Sequence, residues 1–192
     1  MRVALIAIAL FASTAAAASP SEPARRIYLT REQQREAVAS GMLAAPRSLL
    51  DVPGPMTYGD YRWDDRGVPR GPTWIRVDLG SQLLSVFRAG HEIGTAVILY
   101  GTDGYPTPTG RFPILAKMKH HVSRTYDNAP MPYTLRLRND GVSIHGTNVR
   151  YGFASHGCVG VPTPFAAKLF GAVSTGTPVL IVGTARRRPG KG

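Results

Sequence analysis

From residue 73 onward the chain alternates between apolar and polar positions. Trp74, Arg76 and Asp78 interleave with Ile75, Val77 and Leu79, the period-two pattern of a half-buried strand, and Gly80-Ser81 follows as a turn. The run 83–88 reads as a second strand, Ala89-Gly90-His91 as its turn and 93–100 as a third, which makes a β meander. Residues 101–110 hold Pro106, Thr107, Pro108 and Thr109; prolines cannot donate to a ladder, so this is a loop leading to Phe112, Ile114 and Leu115. Over 133–138 Tyr, Leu and Leu alternate with Thr and Arg, Asn139-Asp140-Gly141 is a hairpin turn, and the returning run 141–145 ends on His145. Thr163-Pro164 starts a helix with proline at its first position, and Phe165, Leu169 and Phe170 place apolar groups on one face to about residue 173. Gly176-Thr177-Pro178 then turns into a last strand, 179–182.

The chain before residue 73 patterns differently. Thr30-Arg31-Glu32-Gln33 predicts a capping box for a helix over about 31–44. Its apolar stripe is narrow, which suits an appendage packed on the domain rather than a core element. Between 46 and 72, prolines, glycines and aspartates recur too often for regular structure, while Tyr58, Tyr61 and Trp63 place the segment on the domain surface. Residues 1–18 carry Arg2, an apolar run and the small-residue stretch Ala16-Ala17-Ala18, which predicts a secretory signal peptide cleaved after residue 18. The run is too short for a membrane span, and no cysteine follows it to take a lipid, so no stable membrane anchor is expected after cleavage. The predicted organisation is a signal peptide over 1–18, an N-terminal helix and Pro/Gly-rich surface segment over 19–72, a β-rich main domain over 73–183 and a basic disordered tail over 184–192. There is no internal repeat.

Charge narrows the class of partner. With 23 Lys and Arg against 12 Asp and Glu, the chain favours acidic partners. Nucleic acid is one such polyanion, but export points to the cell wall instead. A length of 192 residues holds one domain with a proper core plus extra segments. The sequence leaves the oligomeric state open.

Candidate chemistry centres on the only cysteine, Cys158, with His156 two residues before it and His145 thirteen before it. One cysteine cannot form an internal disulfide, and an unpaired thiol in an oxidising compartment invites damage, so its retention asks for a chemical reason. A thiol needs a base to become a nucleophile: a neutral imidazole takes the proton, and the imidazolium then stabilises the thiolate and protonates a leaving amine. Residues i and i+2 on an extended segment share a face but run parallel, which puts His156 near Cys158 without aiming it at the sulfur. His145 arrives from a neighbouring strand and is the preferred base. His120 and His121 are either metal ligands, rim groups of the site, or solvated side chains.

Ile-His-Gly-Thr at 144–147 followed by Ser-His-Gly-Cys at 155–158 resembles the active-site signature of the L,D-transpeptidases, the YkuD-like cysteine enzymes that remodel bacterial peptidoglycan. Pro-Thr-Pro-Thr-Gly-Arg-Phe at 106–112 and Ala-Pro-Met-Pro-Tyr at 129–133 match further blocks, so the resemblance covers about 73–183. It implies a mainly β, single-domain, two-sheet sandwich with few short helices. It also implies attack of Cys158 on a peptidoglycan stem peptide, a thioester intermediate, and transfer of the acyl group to an amine or to water. The catalytic set would be Cys158, His145, His156 and Gly157, with His145 oriented by a carbonyl near Gly146 and the N–H groups of Gly157 and Cys158 as oxyanion donors. Ser155, Gly146 and Tyr133 would lie on the substrate-binding side, Tyr133 either donating to substrate or simply packing in its strand. No cofactor and no metal are implied. One position departs: where the family carries arginine after Cys158 and a hydrophobic residue, this chain has Gly160, with Arg136, Arg138 and Arg150 nearby in sequence. Two further readings compete, a noncatalytic wall-binding module and a zinc site built on His145, His156 and Cys158.

Overall fold

The computed structural model describes residues 24–123 and 128–183. The predicted signal peptide and basic tail lie outside them. In chain order the elements are β1 (Arg26–Tyr28), α1 (Arg31–Ala39), β2 (Ser48–Leu50), β3 (Tyr61–Trp63), β4 (Thr73–Asp78), β5 (Leu83–Arg88), β6 (His91–Val97), β7 (Gly110–Pro113), β8 (Ala116–Met118), β9 (Thr134–Arg136), β10 (Ser143–Thr147), β11 (Val159–Pro162), α2 (Thr163–Ala172) and β12 (Pro178–Val182).

The meander β4–β5–β6 forms as the alternation predicts, with Ile75 opposite Val86 and Val77 opposite Leu84. It is the middle of an eight-stranded sheet ordered β1-β2-β6-β5-β4-β12-β7, with β3 also paired to β6. A second sheet, β11-β10-β9-β8, has four strands. The inward parity of both sheets and the apolar face of α2 form one core: Ile75, Val77, Leu84 and Val86 meet Leu135, Ile144, Val159, Val161, Phe165 and Leu169. Several of these are fully buried, so truncating one to alanine costs about 2–5 kcal/mol. The architecture is thus the mainly β two-sheet arrangement expected from the sequence.

The N-terminal region departs from its pattern in two ways. The capping box forms, with Gln33 N–H donating to Thr30 Oγ1 at 3.3 Å and Thr30 N–H to Gln33 Oε1 at 2.9 Å. The helix, however, stops at Ala39, because Ser40 caps it and Gly41 follows at φ 97°. The segment 46–72 also contains two strands where the composition predicts none. Both are three residues long: β2 pairs with β1 over Arg26–Leu50 to Tyr28–Ser48 and meets β6 at Ser48–His91, and β3 pairs with β6 from Tyr61–Ala96 to Trp63–Gly94. Tyr61 and Trp63 set their ring edges against Phe165, at centroid distances of 5.9 and 5.5 Å, so this segment closes the core rather than only lying on the surface. A three-residue strand is too short to carry a period, and its pairing partners are twenty or more residues away.

One polar side chain helps fix α2. Lys117 pairs with Leu135 across β8 and β9, on the parity that faces the helix. Its Nζ donates to the carbonyls of Phe170 at 2.6 Å and Val173 at 2.5 Å and lies 4.5 Å from the Phe170 ring centroid. A cation at the C-terminus satisfies otherwise orphaned carbonyls and complements the helix dipole. Burial lowers the Lys117 pKa. Among the described residues no helix is long and apolar enough to cross a membrane.

Candidate active site

The site is built where the two sheets are stitched together. β10 and β11 run parallel, with Ile144 opposite Val159 and His145 opposite Gly160. Ile144 and Val159 point into the core, so Ser143 and His145 take the other face. On β9, Arg136 stands opposite Ser143 and shares that face. Cys158 comes one residue before β11, at the level of Ser143, and the Ser143 N–H is hydrogen-bonded to its sulfur. His145 therefore lies one pleat repeat further along the neighbouring strand, the placement its alternating run predicts.

Past β6 the chain leaves its own sheet and braces the cysteine loop. Leu99 and Gly160 exchange N–H···O bonds at 2.8 and 2.9 Å, and Ser155 N–H donates to Tyr100 O at 3.0 Å. Gly101 follows, and its N–H donates to the buried Thr107 hydroxyl at 2.9 Å. A Cβ on Gly101 would stand 1.9 Å from Tyr105 O and 3.0 Å from Gly157 N, so only glycine lets the proline-rich loop close against the cysteine turn. Within that turn Gly157 sits at φ 107°. Its N–H donates to Ser155 Oγ at 3.2 Å, and Ser155 Oγ in turn donates to Cys158 O. The structure thus gives the Ser155 hydroxyl a bracing role inside the turn. The Gly157 N–H, expected as an oxyanion donor, is engaged with that hydroxyl.

Electrostatics at the pair favour neutral partners. Cys158 is half-buried; burial pushes its thiol up, the Ser143 N–H pulls it down, and the Asp140 carboxylate pushes it up again, for a net rise. His145 moves the other way, lowered by burial and further by His121, with its hydrogen bond to Gly146 opposing. The contact is Nδ1 to Gly146 O at 3.0 Å. A carbonyl only accepts, so Nδ1 carries the proton and Nε2 keeps the lone pair of a base. These directions favour an uncharged thiol and an uncharged imidazole at neutral pH, a pair in which the sulfur would need to lose its proton to act as a nucleophile.

A cleft of about 710 Å³ opens over this face, lined by His120, His121, Arg136, Asp140, His156 and Cys158 among others. Its apolar walls include Met118, Val122 and Met131. His156 is exposed at the mouth, and the edge-to-face contact of its ring with Tyr105 has a centroid distance of 5.0 Å. His120 and His121 are thus wall groups of the cleft. Among the described residues no three His, Cys, Asp or Glu side chains converge as a metal site. Tyr133 is not in the cleft wall: its N–H donates to Lys119 O at 2.9 Å and its ring meets Phe170 edge-on at 5.8 Å, on the α2 side. Of the three nearby arginines, Arg138 is paired with Asp140 at 2.8 Å, Arg150 is exposed, and Arg136 lines the cleft. Asp140 and Tyr105 escape the sequence reading as site residues because each enters through a turn or loop rather than a motif, while Arg136 is one of the three arginines noted near Gly160. A larger groove of about 910 Å³ lies against the outer face of the eight-stranded sheet, walled by β1, the segment after α1 and Phe87; among the described residues its lining includes no cysteine and no histidine.

The YkuD family profile, described as an L,D-transpeptidase catalytic domain, matches residues 72–181. The chain belongs to that family. Among solved structures, an L,D-transpeptidase from Stackebrandtia nassauensis is 29% identical, covering 64% of this chain and 60% of its own at a TM-score of 0.55. One from Mycobacterium smegmatis is 24% identical at a TM-score of 0.54, with 58% of each chain covered. An L,D-transpeptidase in complex with imipenem is 25% identical at a TM-score of 0.52, covering 57% of this chain and 58% of that one. The chain thus spans about 60% of the length of the first of these and 58% of the other two. A comparison with curated proteins finds no match.

Proposed function

We propose that the protein is an exported cysteine L,D-transpeptidase acting on peptidoglycan stem peptides. What supports the reading is the register of β10 and β11, which sets His145 opposite Gly160, two residues beyond Cys158, with Nδ1 of His145 tied to Gly146 O and Nε2 left as a base. In the forward step the Cys158 sulfur attacks the penultimate carbonyl of the stem peptide as His145 takes its proton. The tetrahedral intermediate collapses with cleavage of the C–N bond, the imidazolium returns the proton to the departing amine, and a thioester remains. An acceptor amine then adds, gives a proton to His145, and expels the thiolate; water in its place makes the same site a carboxypeptidase. Imipenem is bound in one related structure, and a strained lactam carbonyl is a reasonable stand-in for the donor.

Incubating the chain with purified muropeptides and weighing the products tests the reading. Loss of the terminal residue, with or without a cross-linked dimer, is expected from wild type and not from Cys158→Ala. Unchanged muropeptides from wild type would sink the catalytic reading and favour a wall-binding module. Export rests on the apolar leader and alanine stretch at the N-terminus; the periplasmic, wall-associated chain would begin after residue 18.

A further inference from the structure

We propose that Arg136 is the carboxylate-binding residue of the cleft, holding an anionic group of the acyl donor beside Cys158. This deepens the transpeptidase reading and rests on it. Arg136 lines the same cleft as Cys158 and His156 and shares a face with Ser143, whose N–H reaches the cysteine sulfur. Its Nε is buried with no hydrogen-bond partner, and among the described residues Arg136 forms no ion pair. A buried guanidinium donor left unsatisfied is costly, and a planar fork of N–H groups matches a carboxylate. Among the described residues the one carboxylate in the cleft wall does not fill that role, because Asp140 is already held by Arg138 through Nε at 2.9 Å and Nη2 at 2.8 Å.

Position 160, where the resemblance leads one to expect an arginine, is closed to a side chain at rest, since a Cβ there would lie 2.6 Å from Thr147 Cγ2. Positive charge therefore enters the cleft from β9 instead of from β11. Two carboxylates on a stem peptide have the required chemistry: the C-terminal one, which leaves with the departing residue, and a side-chain one on the residue whose carbonyl is attacked.

Equilibrium binding to the full chain carrying Cys158→Ala separates the possibilities without turnover. Three synthetic donors are compared: one with both carboxylates free, and two with one or the other amidated. The free donor binds about tenfold to a hundredfold more tightly than the form lacking the recognised carboxylate, the range expected for a charge-assisted pair. Whichever amide binds weakly identifies the group. Adding Arg136→Met abolishes that difference, and Arg136→Lys keeps part of it; thermal melts establish that both variants fold. Equal affinity for all three donors overturns the assignment even if no variant folds, and so does discrimination that survives in Arg136→Met. If the wild-type chain still turns over muropeptides in either case, only the Arg136 assignment falls. If no donor binds and none is turned over, the assignment and the transpeptidase reading fall together.

Discussion

Replacing His145 with glutamine tests the proton inventory of the site. Cys158 titrates above its ordinary value of 9.0 because it is buried, so without a base less than about 1% of it is thiolate at pH 7. General-base assistance supplies about a hundredfold to ten-thousandfold, or about 2.7–5.5 kcal/mol of barrier at 1.36 kcal/mol per decade. His145 titrates below its ordinary 6.5; the imidazole is then neutral, and competent, at all pH values from 6.5 upward. Wild-type acylation by imipenem, followed by intact mass at timed intervals, should therefore be flat from about pH 7 to 8. It should fall only on the acid side, below the ordinary histidine value. Glutamine keeps bulk and a hydrogen bond to the Gly146 carbonyl but cannot take a proton. Acylation of His145→Gln should be at least about a hundredfold slower at pH 7 and should climb about tenfold per pH unit toward pH 9, as free thiolate accumulates. A variant with the wild-type rate and the wild-type flat profile would refute the assignment of the base. The same loss appearing in His156→Gln while His145→Gln stays active would reverse the two histidines.

Further expectations follow from particular contacts. Gly160→Arg should destabilise the fold by about 1–3 kcal/mol through overpacking against the Thr147 methyl, 2.6 Å from the new Cβ. Thr147→Ser, which deletes that methyl, should recover most of the loss in thermal melts; an identical loss with and without it would mean that the clash is elsewhere. Lys117→Met removes two charge-assisted bonds to the Phe170 and Val173 carbonyls, offset in part by relief of burying the ammonium. The denaturant midpoint should drop by the equivalent of about 2 kcal/mol at unchanged slope, and a shift under about 0.5 kcal/mol would show that the cap is dispensable. Protein recovered from the periplasmic fraction should have the intact mass of a chain starting at Ser19; a full-length cytoplasmic product would end the export reading.

The sequence by itself determined the periodic parts and the reactive set. The strands of the meander are each six or seven residues long, enough for alternation to declare which side is buried. Likewise the spacing of His145, His156 and Cys158, and the Asn139-Asp140-Gly141 turn ahead of the strand that carries His145, are local facts about neighbouring residues. Tertiary structure decided what depends on partners distant in the chain. β2 and β3 become strands only because β1 and β6 offer them ladders. Ser155, part of the signature, turns its hydroxyl inward to brace the cysteine turn, while Tyr133, matched as a site aromatic, packs on Phe170 instead of the cleft. Arg136, an ordinary strand residue by pattern, enters the cleft because the pairing of β9 with β10 puts it on the face of Ser143. The shifts of Cys158 and His145 also needed the fold, since burial is their largest cause, and burial belongs to the packed molecule and not to any stretch of its sequence.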